Sequence, residues 1–176
     1  TNSNVKKYFW IPKLRCFGFQ KITLLKNVML IHGIGVGGGS LVYAATLLVP
    51  KEGAFRNNGW PASANWQKEL EPYYQTAKNM LGVAQNTKLE ETDYILKSIG
   101  KEIGVGDTFH PTQSGIFFGK SGETIEDPFF NGFGPKRTGC RHCGGCMVGC
   151  RFGSKNSLDQ NYLYFAKKFG TQIFAE

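Results

Sequence analysis

The longest uncharged run in the chain, Val28 to Val49 (VMLIHGIGVGGGSLVYAATLLV), is long enough to cross a bilayer. Its glycines argue against that. Gly33, Gly35, Gly37, Gly38 and Gly39 all fall inside it, and each costs ~1 kcal/mol against Ala in a helix interior. The run divides better into a buried strand, a glycine turn and a short buried helical segment over Leu41 to Leu48. No transmembrane segment is expected. Upstream, Lys21 to Ile31 (KITLLKNVMLI) reads as a strand or strand pair broken at Asn27.

Further along, the spacing turns helical. Pro50 to Pro61 is a loop carrying Gly53, Asn57, Asn58 and Gly59, and Asn65 is the expected N-cap for WQKELEPYYQTAKNMLG. Pro72 should split that stretch into a short turn and a helix in which it takes the first position. Tyr73, Ala77 and Met80 would then share a face, and Gly82 would end the helix. A second helix is predicted over Glu90 to Ile103, with Ile95, Leu96, Ile99 and Ile103 inward and Gly104 as its stop. Val105 to Pro135 shows no period and holds the bend DPFFNGFGP. Leu158, Tyr162, Phe165 and Phe169 fall on one face of a third helix closed by Gly170, and TQIFA opens a strand. The elements predict a mixed α/β chain.

Composition narrows the classes. Hydrophobic residues make up 41% and aromatic residues 14%, which excludes a disordered chain. The balance of 21 Lys and Arg against 13 Asp and Glu gives +8. These charges are scattered, with no run longer than a pair such as Lys6-Lys7, so a nucleic-acid partner is not expected.

Two motifs carry chemistry. Gly33-Ile34-Gly35-Val36-Gly37-Gly38 satisfies G-x-G-x-x-G after an apparent strand. The dinucleotide fingerprint also needs a helix, a second strand and an acidic residue ~20 positions on; here the chain instead runs through Pro50 into a Gly/Asn loop with no second apolar strand. The turn is either a tight connection between packed elements or a close backbone approach to a flat or anionic ligand. The second motif is Cys140, Cys143, Cys146 and Cys150, four of the five cysteines, in the order C-x2-C-x2-C-x3-C. Thiolates are soft ligands, and this compact run resembles that of bacterial ferredoxins more than the separated pairs of zinc sites. Arg151 stands where the ferredoxin run has Pro. An iron–sulfur cluster (4Fe-4S or 3Fe-4S), a zinc ion and disulfide pairing are the three readings. Arg137, Arg141, Arg151 and Lys155 flank the run, either to stabilise a reduced cluster or as a solvated face.

The glycine stretch as a whole, HGIGVGGGSLVYAATLLVP, resembles the second glycine motif of the glucose–methanol–choline (GMC) flavin oxidoreductases, cholesterol-oxidase branch. WPASANWQKELEPYYQTAKNMLGV, DPFFNGFGP and CMVGCRFGSKNSLDQNYLYFA agree in order. The resemblance implies an FAD cofactor contacted at Gly37, Gly38, Gly39 and Ser40, and at Tyr43, where a related oxidase has Asn. It also implies that residues 1–176 are an internal part of the FAD-binding domain of a Rossmann-like fold, with inserted helices and a Cys-rich loop over 140–150. The ADP-binding motif and the substrate and catalytic region would lie outside it. None of His32, His110 and His142 matches the family's catalytic histidine, so no catalytic residue is assigned and the chain by itself is expected to be inactive. The whole enzyme would oxidise the CH–OH group of a sterol-like or sugar-like alcohol. Some GMC sugar dehydrogenases pass electrons through an iron–sulfur cluster to an external acceptor, and the cysteine run resembles that arrangement. The rival readings are a small ferredoxin-like electron carrier and a zinc-stapled binding module.

Overall fold

A computed structural model describes residues 5–56 and 59–175. It has three α-helices and eight short strands, paired into four two-stranded antiparallel ladders. The mixed α/β character read from the sequence holds. Asn57 and Asn58 of the predicted loop lie outside the described residues.

Strand β1 (Trp10–Ile11) pairs with β2 (Cys16–Phe17). The five-residue strands β3 (Gln20–Leu24) and β4 (Met29–Gly33) form a hairpin with Ile22 opposite Ile31 and Thr23 opposite Leu30. Leu25 N–H donates to the Val28 carbonyl at 2.8 Å across the turn, so Asn27 sits at the break as the pattern indicates. Ile22, Leu24, Met29, Leu30 and Ile31 of this hairpin are all exposed.

The segment after β4 departs from expectation. The helical element predicted over Leu41 to Leu48 is only a 3-10 turn over Gly38–Leu41. Beyond it the backbone turns at Val42 and bends at Tyr43 and Ala45 before Thr46 bridges to Ser114, because residues 113–115 offer it partners. Leu47 N–H donates to Gln113 O (3.0 Å) and Gly115 N–H to Ala45 O (2.7 Å). Ala45, fully buried, is held at φ 66° to make this approach.

Helix α1 (Trp66–Met80) starts where predicted, with Asn65 Oδ1 accepting from Lys68 N–H at 3.1 Å. Pro72 does not split it. The missing proline N–H deprives only the Lys68 carbonyl, which lies on an exposed turn open to water. The inward face is Tyr74, Ala77 and Leu81 instead of Tyr73, which is exposed. Gly82 ends the helix at φ 52°.

Next come β5 (Ala84–Gln85) and α2 (Glu91–Glu102), the latter opened by a capping box in which Glu90 N–H donates to Asp93 Oδ2 at 2.8 Å. Ile95, Leu96, Ile99 and Ile103 were expected inward and are exposed; the 3-10 turn Gly106–Thr108 reaches this helix, and Leu96, Ile99 and Ile103 line an open pocket with Val105 and Phe109. The aperiodic middle holds β6 (Gln113–Ser114), paired with β5, and β7 (Thr124–Ile125), paired with β8 (Arg137–Thr138). In the DPFFNGFGP bend, the Asp127 carboxylate accepts from the amides of Phe129, Phe130, Gly132 and Gly134.

Helix α3 (Tyr162–Lys168) is preceded by a separate 3-10 turn, Leu158–Gln160. A break at the buried Asn161 (φ −143°) rotates the predicted stripe apart. Phe165 packs edge-on against Phe130 at 4.8 Å, while Tyr162 and Phe169 face outward. The strand predicted for TQIFA is absent from Thr171–Ala175, which has no ladder partner. No described helix is long and apolar enough to cross a membrane.

The centre of the molecule is polar. Among the described residues only Cys16, Ala45 and Ile116 are buried of the apolar ones, against Ser114, Arg137, Ser154, Lys155, Asn156, Ser157 and Asn161. The axis is the backbone pairing of 115–117 with 154–156: Phe117 N–H to Ser154 O and Asn156 N–H to Gly115 O, both 2.8 Å.

Candidate functional site

The glycine turn leaves β4 and doubles back within a few residues. Gly35, Gly37 and Gly38 have φ of 128°, 111° and 53°, which is why glycine stands there. A Cβ built on Gly38 or Gly39 would meet nothing within 4 Å, so the outer side of the turn opens onto free space. At Gly33 and Gly37, by contrast, a Cβ would crowd Gly38 and Leu41. At these two positions the turn leaves room for a group laid against its backbone.

Ser40 and Tyr43 stand on the inner side of the same turn. Ser40 Oγ donates to Gly37 O at 2.7 Å and accepts from Leu158 N–H at 3.0 Å, so its one proton is committed to holding the turn. Tyr43 Oη donates to Asn156 O at 3.0 Å, and the Lys155 ammonium lies 4.8 Å from its ring centroid. Burial, reinforced by the Cys146 sulfur, pushes the Tyr43 phenol up to about 12 against the pull of Arg137. It stays neutral at any ordinary pH.

Lys155 lies below the turn, 3% exposed, and makes no ion pair among the described residues. Its Nζ donates to Leu41 O (2.8 Å), Tyr43 O (3.2 Å) and Cys146 O (2.8 Å). Arg137, 1% exposed, donates Nη1 to Gln160 Oε1 at 2.8 Å and Nη2 to Asn156 Oδ1. Burial pulls the guanidinium down to about 10, with Asp159 opposing. The solvated-face reading therefore fails for these two residues and holds for Arg141 and Arg151, both exposed. Neither Lys155 nor Arg137 stood out in sequence as a buried centre. The available signal was Lys155 itself, a lone charge in the small polar run Ser154-Lys155-Asn156-Ser157.

Cys140, Cys143, Cys146 and Cys150 are all free thiols and all line one cavity of about 300 Å³, together with Phe118, Arg141, His142 and Lys155. A disulfide pairing is not formed. Nor is the closed shell expected from the spacing: among the described residues no three His, Cys, Asp or Glu side chains gather closely enough to hold a metal ion. The physical reason is local. His142 and Gly144 take left-handed backbone (φ 51° and 68°), His142 stacks on Phe118, and Cys143 between them is turned into solvent. Burial pushes the Cys146 thiol up, against the pull of Lys155. Burial would raise Cys150 as well, but the backbone N–H groups of Lys155, Phe152 and Ser154 prevail and hold it below the usual thiol range. Cys16 is apart from this cavity, buried beside Leu14 O.

His32 meets Thr23 Oγ1 at 3.2 Å on the hairpin, and His110 lies near Pro111 O; neither lines the cysteine cavity.

No protein-family model matches the chain, and no solved structure matches it. Curated relatives do. The chain is 48% identical over 178 residues to a protein named cholesterol oxidase from Mycobacterium tuberculosis, covering 98% of this chain. It is 44% identical over 179 residues to a cholesterol oxidase from Acinetobacter baumannii, covering 99%. The chain spans about a third of the length of these relatives, 31% and 32%. Identity at this level over nearly every residue has one reading: the chain belongs to the cholesterol-oxidase family, as the counterpart of one stretch of it.

Proposed function

We propose that the chain supplies part of the flavin-binding region of an FAD-dependent oxidoreductase that acts on the CH–OH group of an alcohol, with a sterol as substrate class. The observation that carries this is the free space over Gly38 and Gly39, at the end of an apolar strand, in a chain 48% identical to a cholesterol oxidase. When bound, FAD would accept the hydride from the carbinol carbon. The chain's own part is positional. Gly37, Gly38 and Gly39 let the ring approach the backbone. Ser40 and Tyr43 hold the turn from beneath through Leu158 and Asn156.

An iron–sulfur cluster held by Cys140, Cys143, Cys146 and Cys150, with electrons leaving to an external acceptor, is a second reading. Four unbridged thiols around one cavity favour it. Closing the shell requires the four thiols to draw together, Cys143 in from solvent.

The test is the absorption spectrum and iron content of anaerobically purified full-length protein, wild type and Gly39→Val. Gly39 is not in the left-handed region and has space beside it, so the variant should fold normally and lose its flavin bands. Full flavin occupancy in the folded variant would refute flavin contact at the turn. Stoichiometric iron supports the second reading, and zinc, or neither metal with two disulfides by mass, refutes it. A broad iron–sulfur shoulder without flavin would favour the electron-carrier rival.

A further inference from the structure

The glycine turn and the cysteine run are distant in sequence and meet at one side chain. We infer that Lys155 is a positioning residue that joins them, so that a chemical change at the cysteines alters the backbone of the glycine turn. The consequence for FAD rests on the flavin reading above; the connection itself stands on the hydrogen bonds.

An ammonium has three protons and no acceptor. Lys155 spends one on Leu41 O, one on Tyr43 O and one on Cys146 O. Two of these carbonyls close the glycine turn, and the third belongs to a cysteine of the run. The group is 3% exposed, so losing one of these partners is costly. Neither segment shifts while the other stays without leaving a buried charge short of an acceptor.

A second grip lies alongside. Gln20 Nε2 donates to Met147 O at 2.6 Å, and Gln20 is the residue of β3 opposite Gly33, where the turn begins. Consecutive carbonyls of the cysteine run, Cys146 and Met147, are thus held from the two ends of the turn. The far side is closed by Leu158 N–H on Ser40 Oγ. A movement at Cys146 therefore has a hydrogen-bonded route to Leu41 and Tyr43 through Lys155 Nζ.

Hydrogen exchange at residues 36–43 tests this in the full-length protein, before and after alkylation with iodoacetamide, in a Cys16→Ser background so that the reagent reports on the run. Alkylation should speed exchange at the turn in the Lys155 protein by about tenfold or more, the worth of one hydrogen bond to a charged group. In Lys155→Met the turn should exchange fast from the start, and alkylation should add little. No acceleration with Lys155 present, or equal acceleration in both proteins, overturns the inference. Should Lys155→Met fail to fold, Gln20→Leu must shrink the response to alkylation, and an unchanged response overturns it. FAD affinity should fall with Lys155→Met by the same factor as the exchange change. A lowered melting temperature with exchange and FAD affinity unchanged would make Lys155 internal support only. Exchange coupling in a protein that binds no FAD would refute the flavin reading and leave the connection standing.

Discussion

The region around Lys155 and the region around helix α2 solve opposite problems. Near Lys155 the chain buries two cations and a phenol and gives them six carbonyl or amide acceptors, with Arg137 Nε left unpaired. On α2 and the β3–β4 hairpin it carries an ordinary apolar surface and leaves it uncovered, with Leu96 61%, Ile103 68% and Leu24 75% exposed. The first region has a directional interior, in which each residue is fixed by partners at defined distances. The second has amphipathic elements with correct caps and turns but little burial. Local signals are enough to specify such an element; packing is a separate matter. Order in this molecule therefore follows hydrogen bonds around 115–117 and 154–156 more than it follows hydrophobicity.

That contrast is breakable, and the largest effect should come from Arg137. Replacing it by Met removes two donors and strands Asn156 Oδ1 and Gln160 Oε1 in a site 1% exposed. A loss of about 3 kcal/mol is expected in urea denaturation. An unchanged midpoint would show that the polar centre is not what holds the fold.

Asp127 should come next. Four amides converge on its carboxylate. Burial would raise its pKa, but the N–H groups of Phe129, Gly134, Phe130 and Gly132 prevail and hold it below the ordinary 3.8. The folded state therefore binds fewer protons than the unfolded state in the window just below that value. Its stabilisation is present above the unfolded pKa and is lost as pH falls through the folded one. Asp127→Asn should cost about 1–3 kcal/mol at neutral pH and flatten the acid limb of the stability curve. A limb as steep as the wild type's would assign the acid sensitivity elsewhere.

The smallest effect is expected on α2. Leu96→Gln should change the stability of this chain by no more than about 0.5 kcal/mol, as for other exposed positions. A loss of several times that would mean that the apolar face is covered in solution.

The sequence by itself determined what depends on neighbours along the chain. The hairpin break at Asn27, the Asn65 cap, the capping box at Glu90, the stops at Gly82, Gly104 and Gly170, and the glycine turn all follow from residue chemistry within a few positions. The order of motifs pointed to the family that the relatives bear out. Tertiary structure decided the rest, because the deciding partners are remote. Leu41 to Leu48 is not a helix because residues 113–115 take its hydrogen bonds. Tyr43 turns inward because Asn156, 113 residues away, supplies its acceptor. Four thiols spaced for convergence do not close a shell among the described residues, and Cys143, between the left-handed His142 and Gly144, is exposed. Lys155, one more basic residue in a chain of charge +8, becomes a buried centre because three carbonyls from two segments surround its single ammonium. Periodicity reports which face is apolar; only the folded chain reports what, if anything, lies against it.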